Sequence, residues 1–349
     1  MDKKNSFLMH FNKIKHSPMF GILVFLVIMI LVRLLGNAGI LRQSTIDFIS
    51  LVLIYSIVGL GFSLLLGYTG LASLGTAGFI GLGTYLISFA FANAGLPFVF
   101  ALLLGFVVAI LMGTIVGFIS LRIEGMYLAI ITLGLSEIFI EVFKKATTLT
   151  NGQNGLQVEN FNFFGFLEAS NALAYRNAIY FIILAILVIF MIAFINIVNS
   201  PTGRAMLSIK NSTSAAQAMG ISVLKYRLLA FVIATITAVV GGMLYMPYFE
   251  FTEPGIWNLG VSLNILAAVI VGGSKSIWGV TLGTFIIFGL RDIVLKQIPF
   301  FQQNGNAVFF FTGALVILIV MYYPGGLVKL FDSLWKKGKL RLQQMKRGE

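Results

Sequence analysis

Cysteine is absent from the 349 residues. That excludes disulfides, thiol nucleophiles and thiolate metal sites. Histidine is almost absent: His10 and His16 both lie in a basic N-terminal stretch, so no imidazole falls within an apolar segment. Charged residues make up 10% of the chain, against about 25% in ordinary soluble domains. An intramembrane enzyme needs an activated nucleophile or a metal, and the apolar segments supply almost no groups for either.

What the chain has in quantity is apolar surface. It is 58% hydrophobic, with 37 glycines. Several apolar runs approach the ~20 residues needed to span a bilayer. Ten segments are expected, at about 19–35, 46–66, 71–92, 97–121, 126–143, 176–198, 227–247, 259–273, 279–295 and 306–323. The third and eighth are the most prone to be short or broken. The expected fold class is therefore an all-α polytopic membrane protein of about ten transmembrane segments. The division is a basic tail over 1–18, a membrane domain over 19–328 and a basic amphipathic tail over 329–349. An outer loop falls at about 144–175 and an inward loop at about 199–226. The run after Met19 continues to about Leu35 with no small-residue cleavage site, so it reads as an uncleaved first span.

The formal net charge is +12. In a soluble chain this would suggest nucleic acid. Here the cations sit in tails and short loops, where topology and anionic lipid account for them. Seventeen Lys and Arg fall on the side of the termini and seven on the opposite side or its edge. The positive-inside rule then places both termini in the cytoplasm. The phenylalanines at 161, 163, 164 and 166 suit the outer interface.

The chain is organised around 67–86, which contains six glycines and no charge. Glycine permits helix breaks and close backbone approach. Irregular backbone at membrane depth survives only where protein or a water-lined cavity covers it. The stretch reads as a broken, tightly packed segment near a substrate path, or as a plain packing helix with Ser73, Ala77 and Gly81 on one small stripe. Tyr68, Thr69, Ser73 and Thr76 are its candidate path residues. Thr132 and Glu137 join them from the fifth segment. Glu137 sits about eleven residues into that span, near the midplane at ~1.5 Å per residue, where a carboxylate is functional by default. Arg122 and Glu124 mark a short inward turn. Segments two to five and seven to ten form two groups of opposite orientation, each with a Gly-rich member near its start (67–83 and 272–283), the pattern of inverted-repeat halves with broken Gly-rich helices.

The inward loop holds a second candidate surface. Pro201 and Gly203 end one helix, the Ala-rich run 214–219 forms a short helix, and Gly220 sits where a cap would. Gly203 and Gly220 bracket this helix, with Ala215, Ala216, Ala218 and Met219 at the contact and Arg204 beside it. Gly272-Gly273-Ser274-Lys275-Ser276 lacks the order of a nucleotide-binding loop, so no ATPase is expected in this chain.

Several motifs together resemble the membrane permease of branched-chain amino-acid ABC importers, the LivM type. They are Gly67-Tyr68-Thr69-Gly70-Leu71-Ala72-Ser73-Leu74-Gly75 with Ala77-Gly78-Phe79, Met126-Tyr127-Leu128-Ala129-Ile130-Ile131-Thr132-Leu133-Gly134, Asn154-Gly155-Leu156, Gly203-Arg204-Ala205, Ala218-Met219-Gly220-Ile221, and Val271-Gly272-Gly273 with Trp278-Gly279. They spread from about 55 to 325. The resemblance implies a bacterial cytoplasmic-membrane importer: a second, LivH-like permease subunit, two cytoplasmic ATPases that use ATP, and an extracytoplasmic binding protein. It implies no cofactor bound by this chain and ATPase docking through 203–221. Two positions depart from the family pattern: Thr76, where histidine is common, and Thr150-Asn151-Gly152, where Thr-Gly-Gly is common. Relatives of the same fold import urea, short amides, nucleosides or sugars, and an ion-coupled secondary transporter using Glu137 is the rival mechanism.

Overall fold

The computed structural model describes residues 18–92, 94–121, 126–158, 172–294, 298–300, 305–323 and 325–329. Arg122, Glu124, the phenylalanines at 161–166 and the two basic tails, 1–17 and 330–349, lie outside the described residues.

The described chain is almost entirely helical. α1 is Pro18–Asn37. α2, Gln43–Ser63, continues into a π-helical turn, Leu64–Thr69. α3 is Thr76–Ala92, α4 Phe98–Ser120, α5 Met126–Lys145 and α6 Ala172–Asn199. Two short helices follow, α7 (Pro201–Asn211) and α8 (Thr213–Ala218). α9 is Val223–Phe249 and α10 Leu259–Gly272. α11, Ile277–Thr284, runs on as a second π-helical stretch, Phe285–Val294, and α12 is Gly305–Tyr322. Each of the ten expected segments is thus a helix. Five are long and apolar enough to cross a membrane: Met19–Asn37, Gln43–Thr69, Phe98–Ser120, Leu173–Asn199 and Val223–Phe249. Thr76–Phe91, Leu259–Gly272 and Ile277–Gly289 are apolar but shorter. The chain is a multi-pass helical membrane protein.

Burial divides the bundle into centre and periphery. α9 stands at the centre and packs on α2, α3 and α4. α1 and α4 turn Leu23, Ile28, Leu31, Phe100, Val107, Leu111 and Ile119 outward, as helices facing lipid do. α3 and α9 come together backbone to backbone. A Cβ on Gly83 would run into the Val239 carbonyl, and one on Gly242 into the Ile80 carbonyl. Small residues at such crossings replace the hydrophobic drive that lipid does not provide.

The two ends of the bundle differ. One end carries α7, α8 and the turn 273–276. The other carries β1 (Leu156–Gln157) paired antiparallel with β2 (Phe251–Thr252). Beneath this pair Trp257 is fully buried and donates from Nε1 to Thr252 Oγ1 at 2.9 Å. The Asn151–Gly155 turn forms as expected, with Asn151, Gly152 and Gly155 all at positive φ. Near this end a charged cluster ties α1, α2, α6 and α9. Arg33 donates to Asn177 Oδ1 at 2.5 Å and stacks 5.5 Å from the Tyr180 ring, while Tyr248 and Arg176 both reach Asp47.

The Gly-rich run 272–283 does not stand near the start of the second group, as the sequence led us to expect. It forms the close α10–α11 contact, one helix later. The break after α9 instead spans 250–258 and uses little glycine: Glu250 takes the left-handed conformation at φ 58°, and Pro254–Trp257 makes a 3-10 turn.

Gly242→Leu should lower the thermal unfolding midpoint in detergent by an amount corresponding to ~1–3 kcal/mol of overpacking. Gly313→Ala, where an added methyl meets nothing within 4 Å, is the control and should be neutral or stabilising by up to ~1 kcal/mol.

Candidate functional site

α2 does not simply stop. Its last turn widens to π geometry, and Gly70 then reverses the chain at φ 76°, a conformation glycine adopts without a Cβ penalty. Residues 70–75 are non-helical, and α3 starts at Thr76. Backbone groups freed inside a membrane must find partners within the protein. Here they do. The N–H groups at the start of α3 are taken by hydroxyls: Leu74 by Thr132 Oγ1 (3.0 Å), Gly75 by Ser73 Oγ (3.3 Å), Ala77 by Ser262 Oγ (3.0 Å) and Gly78 by Ser136 Oγ (3.1 Å). Thr132 and Ser136 come from α5, one helical turn apart, and Ser262 from α10.

The closing turn of α2 is anchored as well. Ser63 Oγ donates to the Ser274 carbonyl at 2.7 Å and Tyr68 OH to the Lys275 carbonyl at 3.1 Å. Gly67 lies against the Ser274 carbonyl with no room for a side chain. Lys210 Nζ, from α7, donates to the carbonyls of Leu66 (3.0 Å) and Gly67 (2.9 Å). Partial burial, then the nearby Lys275, lower the pKa of this lysine below its ordinary value.

The six candidate path residues do not form one surface. Thr69 closes its own helix, donating to the Leu65 carbonyl at 2.6 Å. Tyr68 borders a cleft of about 320 Å³ shared with Phe194, Lys275 and Trp278. Ser73 and Thr76 line an internal cavity with Phe62, Phe79, Phe231 and Thr235. Its volume, about 10 Å³, is that of a single water. Thr132 is buried and serves as a cap for α3.

Glu137 stands apart from the other five. It does not face the break. Thr132 and Ser136 turn into the chain, and Glu137, about 100° further round the helix, is exposed together with Ile138. Tyr127, Ile130, Gly134, Glu141 and Val142 continue that exposed face. Glu141 pairs with Lys144 at 2.7 Å, whereas no partner for Glu137 is found among the described residues.

The 199–226 region also differs in detail. Pro201 begins a helix: Ser200 caps α7, its Oγ accepting from Gly203 N–H at 3.4 Å, and proline is favoured at that first position. Gly203 therefore lies in the first turn of α7, tight against the Val198 carbonyl, and does not bracket the Ala-rich helix. Ser212 starts that helix, α8, and Gly220 ends it at φ 77°. Ala215, Ala218 and Met219 are exposed, Met219 to 81%. Ala216 is not; it packs inward on Ile209 and Val223. Arg204 is exposed and donates to the Asn199 carbonyl at 3.1 Å.

Ser136, Ser262 and Lys210 were invisible as site residues in the sequence. Ser136 stands beside a charge that draws attention first. Ser262 is a lone hydroxyl in an apolar helix, and Lys210 counts among the topological cations. Only the positions of α5, α7 and α10 around the break reveal their partners.

Comparison with known proteins now gives the lineage. The family model described as branched-chain amino acid transport system / permease component matches residues 44–320. The high-affinity branched-chain amino acid transport system permease protein LivM of Escherichia coli is 28% identical over 308 residues, covering 82% of this chain and 71% of that protein. The probable branched-chain amino acid transport permease LivM of Methanocaldococcus jannaschii is 24% identical, covering 81% and 94%. The probable LivH permease of the same organism is 25% identical over 203 residues, covering 58% and 59%. No solved structure matches. With the match running from the start of α2 to the end of α12, the chain belongs to the branched-chain amino acid transport system permease family.

Proposed function

We propose that this chain is a membrane permease subunit of an ATP-driven importer for branched-chain amino acids in a bacterial cytoplasmic membrane. The observation that carries the proposal is the family match over nearly the whole membrane domain. The rival readings have less support. Among the described residues the fully buried charge is Arg33, a cation. The carboxylate that an ion-coupled carrier would enclose, Glu137, is on the outside of the fold.

In this reading the chain crosses the membrane ten times, with 1–18 and 329–349 in the cytoplasm against anionic lipid. The end bearing α7, α8, Lys210, Lys275 and Lys329 is cytoplasmic. The two halves are inverted repeats. In support, α2 with its π turn and α9 are both 27 residues long, and each ends in a left-handed residue, Gly70 or Glu250. Each is then followed by a break and a shorter helix. Two cytoplasmic ATPases dock on Ala215, Ala218, Met219 and Gly220, with Arg204 nearby. A LivH-like second permease and an external binding protein complete the assembly. Energy comes from ATP on the ATPases, and this chain carries no cofactor and no catalytic group.

The α5 face bearing Glu137 meets the second permease. A charge at mid-span facing lipid costs roughly 3 kcal/mol or more, and Gly134 beside it leaves open space for close approach of another helix. Substrate then passes along this α5 face, between the two permeases.

Three measurements test these assignments. In proteoliposomes, the chain alone should accumulate no leucine under a proton gradient, whereas the assembled complex should do so with ATP. Accumulation by the chain alone would establish the ion-coupled reading instead. Glu137→Leu should keep membrane insertion and cut uptake at least about tenfold, the equivalent of ~1.4 kcal/mol. Wild-type uptake in both Glu137→Gln and Glu137→Leu would remove the residue from the path. Ala215→Trp or Met219→Asp should abolish co-purification of the ATPases while leaving the chain folded; retention of the ATPases by both would place docking elsewhere.

A further inference from the structure

We propose that Lys210 is the strut through which the cytoplasmic helix pair acts on the broken segment of the membrane domain. The inference deepens the importer reading and rests on it. Lys210 lies in the last turn of α7, and Ser212, the cap of α8, follows two residues later. The exposed face of α8 and the ammonium of Lys210 therefore belong to one short, stiff unit, held together by the Ile209–Ala216–Val223 contact.

The other end of the strut is the membrane domain itself. Lys210 reaches 144 and 143 residues back in sequence to the carbonyls of Leu66 and Gly67. These are last-turn carbonyls of a helix, which its own backbone leaves open. The lysine stem passes over Gly70, its Cγ 3.4 Å from where a Cβ on that glycine would stand. No carboxylate competes for the ammonium: the ion pairs among the described residues are Glu141–Lys144 and Asp47–Arg176. The charge is committed to the backbone of the break.

From Gly67 the chain needs only seven residues to reach Leu74, the first N–H held by Thr132. A displacement of α7 along the membrane normal is thus delivered to the α2 terminus, and from there to the start of α3 and its hydroxyl partners on α5 and α10. Ser63 and Tyr68, bonded to the 273–276 turn, carry the same displacement to α10 and α11. Lys210 remains exposed to solvent, yet its ammonium is bonded to two carbonyls of the break; a lysine placed only for topology would need neither bond.

The test uses the assembled complex with ATPases and binding protein in liposomes, comparing wild type, Lys210→Met and Lys210→Arg. Methionine keeps most of the stem and removes every donor. Arginine keeps donors within reach of the carbonyls. Lys210→Met should retain the ATPases and hydrolyse ATP within about twofold of wild type, while leucine imported per ATP hydrolysed falls about tenfold or more, the scale set by losing charge-assisted hydrogen bonds. Lys210→Arg should recover most of that ratio. An unchanged ratio in Lys210→Met, whether import and hydrolysis are both normal or both reduced in step, overturns the strut and leaves Lys210 a structural cap. Wild-type import with ATP, measured in parallel, is independent of the lysine: its absence overturns the importer reading itself, and the strut with it.

Discussion

A helix that breaks within an apolar bundle must hand its backbone groups to something other than water. Much of the arrangement seen here follows from that requirement. The break between α2 and α3 frees carbonyls on one side and N–H groups on the other. Serine and threonine hydroxyls from α5 and α10 take the N–H groups, and Lys210 takes the carbonyls. Because the partners come from three different elements, satisfying the break also fixes where α5, α7 and α10 sit around it. The second break, after α9, meets the same demand at the opposite end of the bundle with a β pair, the Val158 N–H on the Glu250 carbonyl and the Tyr175 hydroxyl on the Pro247 carbonyl.

Glycine sets the distances that make these bonds possible. Gly75 lies against the Thr132 carbonyl, Gly78 against Ser136, and Gly83 and Gly242 let α3 and α9 touch along their backbones. A side chain at any of these would hold the helices apart, and hydroxyls as short as serine would no longer reach. The packing and the polar network are one constraint. Dispersion holds the helices close, and closeness allows short side chains to act as caps.

Much of this was legible in the sequence, and the gaps have physical causes. The ten helices follow from hydropathy alone. The first break is announced by glycine, because its left-handed residue is Gly70 and its neighbours must be small. The second is not, because Glu250 takes that conformation and tryptophan and proline do the rest. The widening of α2 and α11 into π turns leaves no compositional trace, since both helix types draw on the same residues. Glu137 shows the limit most clearly. Its place along α5 is readable by counting residues, but its direction is not. α5 is apolar on most sides, so no polar stripe tells which face meets a neighbour, and a rotation of one residue separates Ser136 inside from Glu137 outside. In the 199–226 region the Ala-rich helix was readable from propensity, and Pro201 was ambiguous because proline both stops one helix and starts the next.

The balance of forces around α3 suits a segment that has to move. Its contacts with α9 are backbone close-packing and apolar burial, which are lost steeply on separation. Its contacts with α5 include hydroxyl-to-backbone hydrogen bonds, each worth only ~1 kcal/mol net, because another polar partner or water can replace them. The cavity at Ser73 and Thr76, walled by Phe62 and Leu65 of α2 and Phe231 and Thr235 of α9, admits one water and no amino acid, so nothing larger passes on that side of α3. The exchangeable bonds lie on the α5 side of α3, beside the Phe79–Phe139 and Tyr85–Phe143 ring contacts, and the backbone close-packing lies on the α9 side. Parting α3 from α5 while keeping it on α9 therefore gives up fewer close contacts than the reverse, and the bonded turn at Leu66–Gly67 is where a push from α7 and α8 would enter it.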